Sequence, residues 1–455
     1  MTPVEYLQQT EAKRLDELFQ LLKFPSVSAK SEHKPDMIAC ADWLAGHLRD
    51  IGFNSEACPT GGHPLVYADY MVGPKAPTVL YYGHYDVQPP EPFDLWKSPP
   101  FEPVIRDGYV WARGSADNKG QLFIHVKGLE AVLKATRSLP INVKLLFEGE
   151  EEVHSAHLPA WIRKNRKKLK ADIAVVSDTA MFSPTLPAVT FGLRGIAAAE
   201  LFVYGPARDV HSGSFGGAIA NPANILCELA AKLHDKNSRV TIPGFYDGVK
   251  PLSAWERAQF KKLPFSQTKY LKSLGIPALH GEKGFTTYER SWSRPTLDIN
   301  GITSGYQGEG AKTIIPSYAS CKITMRLVPG QDPMDICNKL EKYIMRIAPR
   351  SVKVKVHKHG GARAVVVPHE GPWLDAAARA IKAGFGKAPV FMKEGGSIPI
   401  VGDFKNILGL DTLLIGFCQN DDNIHSPNER FKLRDFQRGC LTAAALPFEL
   451  AGVKA

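Results

Sequence analysis

Histidines and carboxylates follow several apolar segments of this sequence at spacings that suit metal binding. His84 and Asp86 come directly after the apolar run at 78–82, and residues two apart on an extended chain point the same way. A carboxylate beside a ligand histidine fixes the ring tautomer and raises its basicity. Asp117 precedes a helical segment, where it could cap the helix or present both oxygens to a metal. Taken alone, each pattern also suits a structural role.

A run of glutamates gives a stronger signal for a cation. Glu150, Glu151 and Glu152 follow the apolar run at 141–147, and their mutual repulsion would raise their pKa values unless a cation compensates. Adjacent glutamates point in different directions, so one could bind metal while its neighbour keeps free oxygens for a water molecule. Two further apolar runs lead to Asp178 and to His425.

The elements that position these side chains are predicted to be parallel strands. Four apolar runs, at 78–82, 141–147, 173–176 and 412–417, each precede a histidine or a carboxylate. Open parallel sheets place their sites beyond the carboxyl ends of the strands. The donors are two histidines and three or four carboxylates without cysteine, which suits zinc or manganese and favours two ions over one.

The order of the predicted elements indicates an interrupted α/β domain. Continuous apolar strands alternate with helices before residue 192 and again after residue 370, which predicts a doubly wound, largely parallel sheet. Between them, a strand, helix, strand, helix, strand pattern predicts an α+β insert. We therefore expect one domain at 1–191 and 367–455 and a second at 192–366, with an irregular excursion at 243–295.

Composition excludes several classes of protein. The chain has 455 residues, 44% of them hydrophobic and 22% charged, which are ordinary globular values. No run approaches the ~18 apolar residues of a membrane span, and the charged N-terminal segment at 1–30 is unlike a secretory signal. Seven cysteines without a CxxC pair indicate free thiols in a reducing compartment, hence a cytoplasmic protein. Six of the ten excess positive charges lie at 163–170, which favours a solvated helix end over nucleic-acid binding.

Together these motifs resemble the carnosinase-like zinc dipeptidases, within the larger family of aminoacylases, succinyl-diaminopimelate desuccinylases and glutamate carboxypeptidases. The matching strings occur in family order and are GHYDVQP (83–89), RGSADNKGQ (113–121), EGEEE (148–152), VVSD (175–178), TFGLRGI (190–196), DVHSGSFGG (209–217), GAKTIIP (310–316), RLVP (326–329), EGGSIP (394–399) and DDNIHSPNE (421–429). The resemblance implies a two-metal catalytic domain and an inserted, ferredoxin-like lid domain that mediates dimerisation.

The resemblance also implies a set of metal ligands. His84 and Asp178 would hold one ion, Glu152 and His425 the other, and Asp117 would bridge both. Zinc is the expected metal, with manganese or cobalt as possibilities. A hydroxide between two such ions would attack the peptide carbon, since paired divalent ions lower the pKa of water and clamp both oxygens of the intermediate.

Further roles follow from the same resemblance. Asp86 would orient His84, and Glu151 would act as general base and then acid, although Glu150 also precedes a candidate ligand. His154 stands where the family usually has glycine, so a positive φ there would strain it.

The inserted domain is expected to contribute to substrate binding. His211 would stabilise the oxyanion from the partner subunit, and Arg326 would bind the substrate's terminal carboxylate. Additional contacts are expected from Thr313, Glu394, Gly395 and Ser397, with Glu394 meeting the free amino group.

The expected activity is metal-dependent hydrolysis of dipeptides with a free C-terminal carboxylate. The alternative is an N-acyl amino-acid amidohydrolase or carboxypeptidase on the same scaffold. A catalytically inactive metal-binding protein is a remote alternative, because such a protein would be expected to lose Glu151 or His211.

Overall fold

The structure is a computed structural model that describes residues 1–453. The helices within this range are α1 (Pro3–Gln9), α2 (Glu11–Leu22), α3 (Lys34–Asp50), α4 (Lys119–Thr136), α5 (Leu158–Lys164), α6 (Ser212–Phe215), α7 (Pro222–Ala231), α8 (Ala254–Lys262), α9 (Gln267–Leu274), α10 (Thr287–Ser293), α11 (Pro333–Ile347), α12 (Pro372–Phe385), α13 (Pro399–Asp403) and α14 (Leu433–Ala451). The strands are β1 (Asn54–Cys58), β2 (Leu65–Tyr70), β3 (Thr78–His84), β4 (Val104–Arg106), β5 (Tyr109–Trp111), β6 (Asn142–Glu148), β7 (Ile173–Val176), β8 (Ala188–Leu193), β9 (Gly195–Tyr204), β10 (Val210–His211), β11 (Thr296–Ser304), β12 (Ile314–Ile315), β13 (Tyr318–Leu327), β14 (Lys353–Ala362), β15 (Val365–Val366), β16 (Val390–Glu394), β17 (Thr412–Ile415) and β18 (Arg430–Lys432). Short helical turns lie at Ser31–His33, Phe93–Leu95, Glu151–Val153 and Phe404–Leu408.

The chain forms two compact units. The first contains Met1–Phe191, Val367–Met392 and the chain from Ile398 onward. The second contains Gly192–Val366 and the short segment Lys393–Ser397.

The first unit is built on a sheet whose four central strands are parallel. Their order is β6-β3-β7-β17, and β1, β2 and β8 add antiparallel pairings on either side. Tyr81 of β3 contacts His125 of α4, whereas the next residue, Tyr82, contacts Phe404. Because successive side chains of a strand point to opposite faces, helical segments cover both faces of the sheet. The predicted α/β class is confirmed, and the two-sided cover explains why the strands are continuously apolar.

The second unit has a four-stranded antiparallel sheet in the order β11-β13-β9-β14. Along the chain the elements follow as β9, α7, β11, β13, α11 and β14, which is the ferredoxin-like βαββαβ arrangement. Burial alternates along β9, and its buried side chains pack with those of α7 and α11. The predicted α+β class of the insert is therefore confirmed.

The excursion expected to be irregular at 243–295 contains helices α8, α9 and α10, so that expectation was wrong. Two of these helices begin with a capping box. Ser253 and Glu256 form one box, and Thr286 and Glu289 form the other. A Ser or Thr followed three residues later by Glu is the sequence signature of a helix start, and it outweighs the Lys- and Pro-rich composition of this segment.

Candidate metal centre

The carboxyl ends of three parallel strands carry candidate ligands to one edge of the sheet. His84 is the last residue of β3 and is paired in register with Glu148, the last residue of β6. The turn that follows β6 carries Glu151 and Glu152, and Asp178 lies two residues beyond β7. The parallel register therefore gathers side chains from distant parts of the chain.

Asp117 is placed between two histidines. It lies just before α4, and its Oδ1 is 3.1 Å from His84 Nε2. Its other oxygen, Oδ2, is 2.9 Å from His425 Nε2. The two oxygens of one carboxylate thus face two different imidazoles, which is the disposition required to bridge two ions.

Each histidine also has a second carboxylate nearby. Asp178 Oδ1 lies 3.6 Å from His84 Nε2. Glu152 Oε2 lies 3.4 Å from His425 Nε2. The five residues expected to bind metal are therefore gathered around one point.

A divalent ion would satisfy these donor atoms better than the contacts that they make with one another. Within residues 1–453, the buried atoms His84 Nε2 and Glu152 Oε1 make no hydrogen bond of acceptable geometry, although Asp117 Oδ1 lies 3.1 Å from the former. Buried polar atoms are normally satisfied, so this pair indicates a missing partner. Donor atoms of His84, Asp117 and Glu152 all lie within 4.8 Å of one another. Imidazole nitrogens and carboxylate oxygens without thiolates suit zinc or manganese.

The charges of the metal-free site also favour a cation. Burial raises the pKa of Glu151 well above its usual value, and the charges on Asp178 and Glu152 raise it further. Burial likewise raises the pKa values of Glu152 and Asp178, with the charge on Asp117 adding to the effect. Burial lowers the pKa of His84, but its contacts with neighbouring carboxylates outweigh burial and raise it well above its usual value. A divalent ion would relieve this crowding of negative charge.

Asp86 connects His84 to the glutamate turn. It is fully buried, and its Oδ1 lies 3.3 Å from His84 Nδ1. The backbone N–H groups of Glu151 and Glu152 donate to Oδ1 and Oδ2 of Asp86 at 3.2 and 3.0 Å. One carboxylate thus fixes both a candidate ligand and the turn that carries the candidate base Glu151 and the candidate ligand Glu152.

The two glutamates considered for the base have different surroundings. The Glu150 carboxylate lies 2.8 Å from His157 Nδ1 and accepts a hydrogen bond from the backbone N–H of His63. The Glu151 carboxylate accepts no hydrogen bond from the protein within residues 1–453. His154 adopts φ 73° and ψ 23°, in the left-handed region that is uncommon for residues other than glycine.

Sequence reasoning assigned no role to three residues that hold these side chains. Glu429 is fully buried and accepts hydrogen bonds from the backbone N–H groups of Gly114, Ala116 and Asp117. Asn118 donates to Asp178 Oδ1 at 2.9 Å, and Gln88 donates to Glu152 Oε2 at 2.8 Å. The only signal for Glu429 was its place in the string at 421–429.

A second group of candidate ligands in the first unit is already satisfied by a lysine. Glu17, His47 and Glu130 place one donor atom each within 4.8 Å of the others. The buried Lys127 Nζ lies 2.5 Å from Glu17 Oε2, 3.3 Å from His47 Nε2, and also pairs with Glu130. Since its ammonium occupies the position of a cation, this cluster is a structural network.

In the second unit, His211 and Thr313 lie together. β10 pairs with β12 so that His211 is opposite Ile314, and the backbone N–H of Ser212 donates to the Thr313 carbonyl. His211 Nδ1 accepts hydrogen bonds from the backbone N–H groups of Gly213 and Ser214, at 2.9 and 3.2 Å. In the neutral ring the proton is therefore on Nε2, which leaves an exposed N–H donor.

The other predicted substrate contacts form a second group in this unit. Arg326 Nη1 donates to Ser397 Oγ at 3.5 Å. Ser397 Oγ in turn donates to the backbone carbonyl of Arg194 at 2.5 Å. The backbone carbonyls of Glu394 and Gly395 accept from Arg194, at 3.2 and 3.4 Å.

Comparisons with known proteins agree with this geometry. The family "Peptidase family M20/M25/M40" matches residues 80–448. The Cys-Gly metallodipeptidase DUG1 of Candida albicans is 32% identical over 459 residues, covering 96% of this chain and 94% of that protein. The beta-Ala-His dipeptidase of Homo sapiens is 30% identical over 417 residues, covering 90% of this chain and 82% of that protein.

A solved structure of an M20 family protein is also similar to this chain. The M20 family metallo-carboxypeptidase Sso-CP2 from Sulfolobus solfataricus has a TM-score of 0.87 and 33% identity, and the match covers 97% of this chain and 99% of that one. The family match spans most of the chain and includes Asp117 and the four other candidate ligands near it. The chain therefore belongs to peptidase family M20/M25/M40.

Proposed function

We propose that this protein is a metal-dependent dipeptidase that hydrolyses the peptide bond of dipeptides with a free C-terminal carboxylate. The observation that carries the proposal is the position of Asp117, whose two oxygens face His84 and His425 separately. The relatives named as dipeptidases match nearly the whole chain and support the same activity.

Two divalent ions complete the proposed site. His84 and Asp178 would hold one, Glu152 and His425 the other, and Asp117 would bridge them, with zinc the expected metal and manganese or cobalt as possible substitutes. When bound, such a pair polarises the peptide carbonyl and lowers the pKa of a water molecule held between the ions. Two observations support this assignment: carboxylate oxygens converge on the buried His84 Nε2, and the buried Glu152 Oε1 has no hydrogen-bond partner among the described residues.

Glu151 is the proposed general base and acid. Its carboxylate accepts no hydrogen bond from the described protein, whereas its backbone N–H is fixed by Asp86. It would take a proton from the attacking water and return it to the leaving amine, which typically contributes about 10²–10⁴-fold in rate. Asp86 would hold the His84 ring in one tautomer.

The second unit is proposed to supply the contacts that recognise the substrate. Arg326 would bind the C-terminal carboxylate, because a guanidinium matches a carboxylate in shape and charge. His211 would donate a hydrogen bond from its Nε2–H to the developing oxyanion, since its Nδ1 already accepts two backbone hydrogen bonds. The remaining proposed contacts come from Thr313, Glu394, Gly395 and Ser397.

We further propose a homodimer in which His211 acts across subunits. The exposed side chains of Phe215 and Ile219 follow His211 closely and would be covered by such an interface. Mixing the inactive variants His211→Ala and Glu151→Gln should restore part of the activity, because one of the two sites would then hold both groups. Verified heterodimers without any activity would refute a shared site.

A carboxypeptidase is the second candidate function. The similarity to the Sulfolobus metallo-carboxypeptidase favours it, because that protein is 33% identical over nearly its whole length. A panel of dipeptides, longer peptides and N-acyl amino acids, assayed with zinc or manganese after chelation, separates the candidates. Turnover restricted to dipeptides supports the proposal, whereas equal turnover of longer peptides supports a carboxypeptidase and a preference for N-acyl amino acids an amidohydrolase.

A cytoplasmic location is proposed from the cysteines. All seven are free thiols, and six of them are buried. Proteins of oxidising compartments commonly pair such residues. Separately, none of the helices in the described part of the chain is long and apolar enough to cross a membrane.

A further inference from the structure

Two arginines of the second unit converge on the same short segment. Arg194 directly precedes β9, and Arg326 of β13 is paired in register with Ile196 of β9. Ser397 contacts both, because its Oγ donates to the Arg194 carbonyl and accepts from Arg326 Nη1. The Arg194 guanidinium also packs against Gly395, where an added Cβ would lie 2.8 Å from Nη2.

Neither guanidinium forms an ion pair with a carboxylate in the described part of the chain. No Asp or Glu oxygen lies within ion-pair distance of Arg194 or Arg326 anywhere in residues 1–453. The buried Arg294 of the same unit is by contrast paired with Glu282 at 2.7 and 2.8 Å. Burial and, to a smaller extent, the nearby charge of Arg326 lower the pKa of Arg194 to about 10, against the weaker opposing effect of the Asp298 carboxylate. The two half-buried cations therefore have no directly paired anion among the described residues, and the more distant Asp298 offsets only part of their unfavourable charge.

Arg194 is accessible from an open cavity. Arg194 lines a cavity of about 990 Å³ within the second unit. Asp298 also lines this cavity, and its charge favours the protonated form of Arg194, although the two side chains form no ion pair within residues 1–453. A ligand anion could thus approach Arg194 without displacing any protein carboxylate.

We propose that Arg194 is a substrate-binding residue that, together with Arg326, forms a two-arginine site for the substrate's C-terminal carboxylate. This inference rests on the proposed dipeptidase function and assigns to Arg194, within the TFGLRGI string, a role in selecting free acids over blocked ones. Two guanidinium groups can satisfy both oxygens of one carboxylate through charge-assisted hydrogen bonds. A neutral C-terminal amide cannot pair with either in this way.

The test compares each dipeptide with its C-terminal amide. In Arg194→Gln, KM for the free dipeptide should rise about 10- to 100-fold, as expected for loss of one charge-assisted contact. Turnover of the amide should change little, so the preference for the acid, expressed as the ratio of kcat/KM values, should fall at least about tenfold. Arg194→Lys keeps the positive charge but loses the forked geometry of the guanidinium, so its preference for the acid should lie between those of the wild type and Arg194→Gln. Arg350→Gln, at an exposed arginine of the same unit, controls for the change in net charge.

The outcomes distinguish this inference from the proposed function. An unchanged acid preference in Arg194→Gln, or an equal fall in turnover of acid and amide, overturns the role of Arg194 while the dipeptidase function stands. Should Arg194→Gln fail to fold, the same comparison in Arg194→Lys decides. Absence of any dipeptide hydrolysis by the metal-replete wild-type protein refutes the proposed function itself.

Discussion

Replacing the buried Glu429 with glutamine should weaken metal binding, although Glu429 is not a proposed ligand. The carboxylate accepts from Gly114 and Arg113 through Oε2, and from Ala116 and Asp117 through Oε1. An amide can accept through only one of the two positions, so two donors lose their acceptor, and Arg113 loses its charge partner. Breaking a buried pair of this kind costs about 3–5 kcal/mol of unfolding free energy.

The loop fixed by Glu429 carries Asp117, which explains the effect on metal. Loss of an outer partner that orients a ligand typically costs about 10- to 100-fold in metal affinity. We expect a fall of this size for Glu429→Gln, measured by competition with a chromophoric chelator. Saturating metal should restore part of the activity.

A matched control separates positioning from general destabilisation. Glu282 is a buried glutamate of the second unit that pairs with Arg294 through two hydrogen bonds. Glu282→Gln should lower the unfolding free energy by a similar amount and leave metal affinity unchanged. Wild-type metal affinity in Glu429→Gln, or an equal loss of affinity in the control, would refute this reasoning.

Two other predictions concern the base and the pH dependence of stability. Glu151→Gln should lower kcat at least about 100-fold while the protein keeps both ions by elemental analysis, and full activity would remove Glu151 from the base role. Burial raises the pKa of Asp422 to about 7, so its protonated form is favoured in the folded state. Its contribution to the stability of the metal-free protein is therefore present below pH ~4 and is lost as the pH rises towards 7. Urea titrations at several pH values in this range should show that the free energy of unfolding falls less steeply with pH for Asp422→Asn than for the wild type. Equal dependence on pH in the two proteins would contradict the assignment.

The strands that carry the site could be predicted because they are buried on both faces. β7 spans Ile173–Val176, the same residues as the apolar run read from the sequence, and β3 and β6 start within one residue of their predicted positions. A strand covered on two sides must be apolar at every position, which makes it conspicuous. The residues after such strands were therefore recognisable as candidate ligands.

The supporting residues could not be predicted in the same way. Glu429 contacts the backbone of Asp117, more than 300 positions away, and Asn118 reaches Asp178 across 60 positions. Such hydrogen bonds depend on tertiary structure and leave no periodic pattern in the sequence. That Arg194 forms no ion pair with any described carboxylate is likewise visible only once the surrounding side chains have been placed.

The most direct test of the account is the number of ions that the protein binds. After chelation, reconstitution with zinc and removal of excess metal, elemental analysis should give two ions per chain for the wild type. Asp117→Asn should retain neither at the same free zinc concentration, because its side chain is proposed to bridge both. A wild-type protein with one ion or none, or an Asp117→Asn variant that keeps two, would contradict the two-metal site.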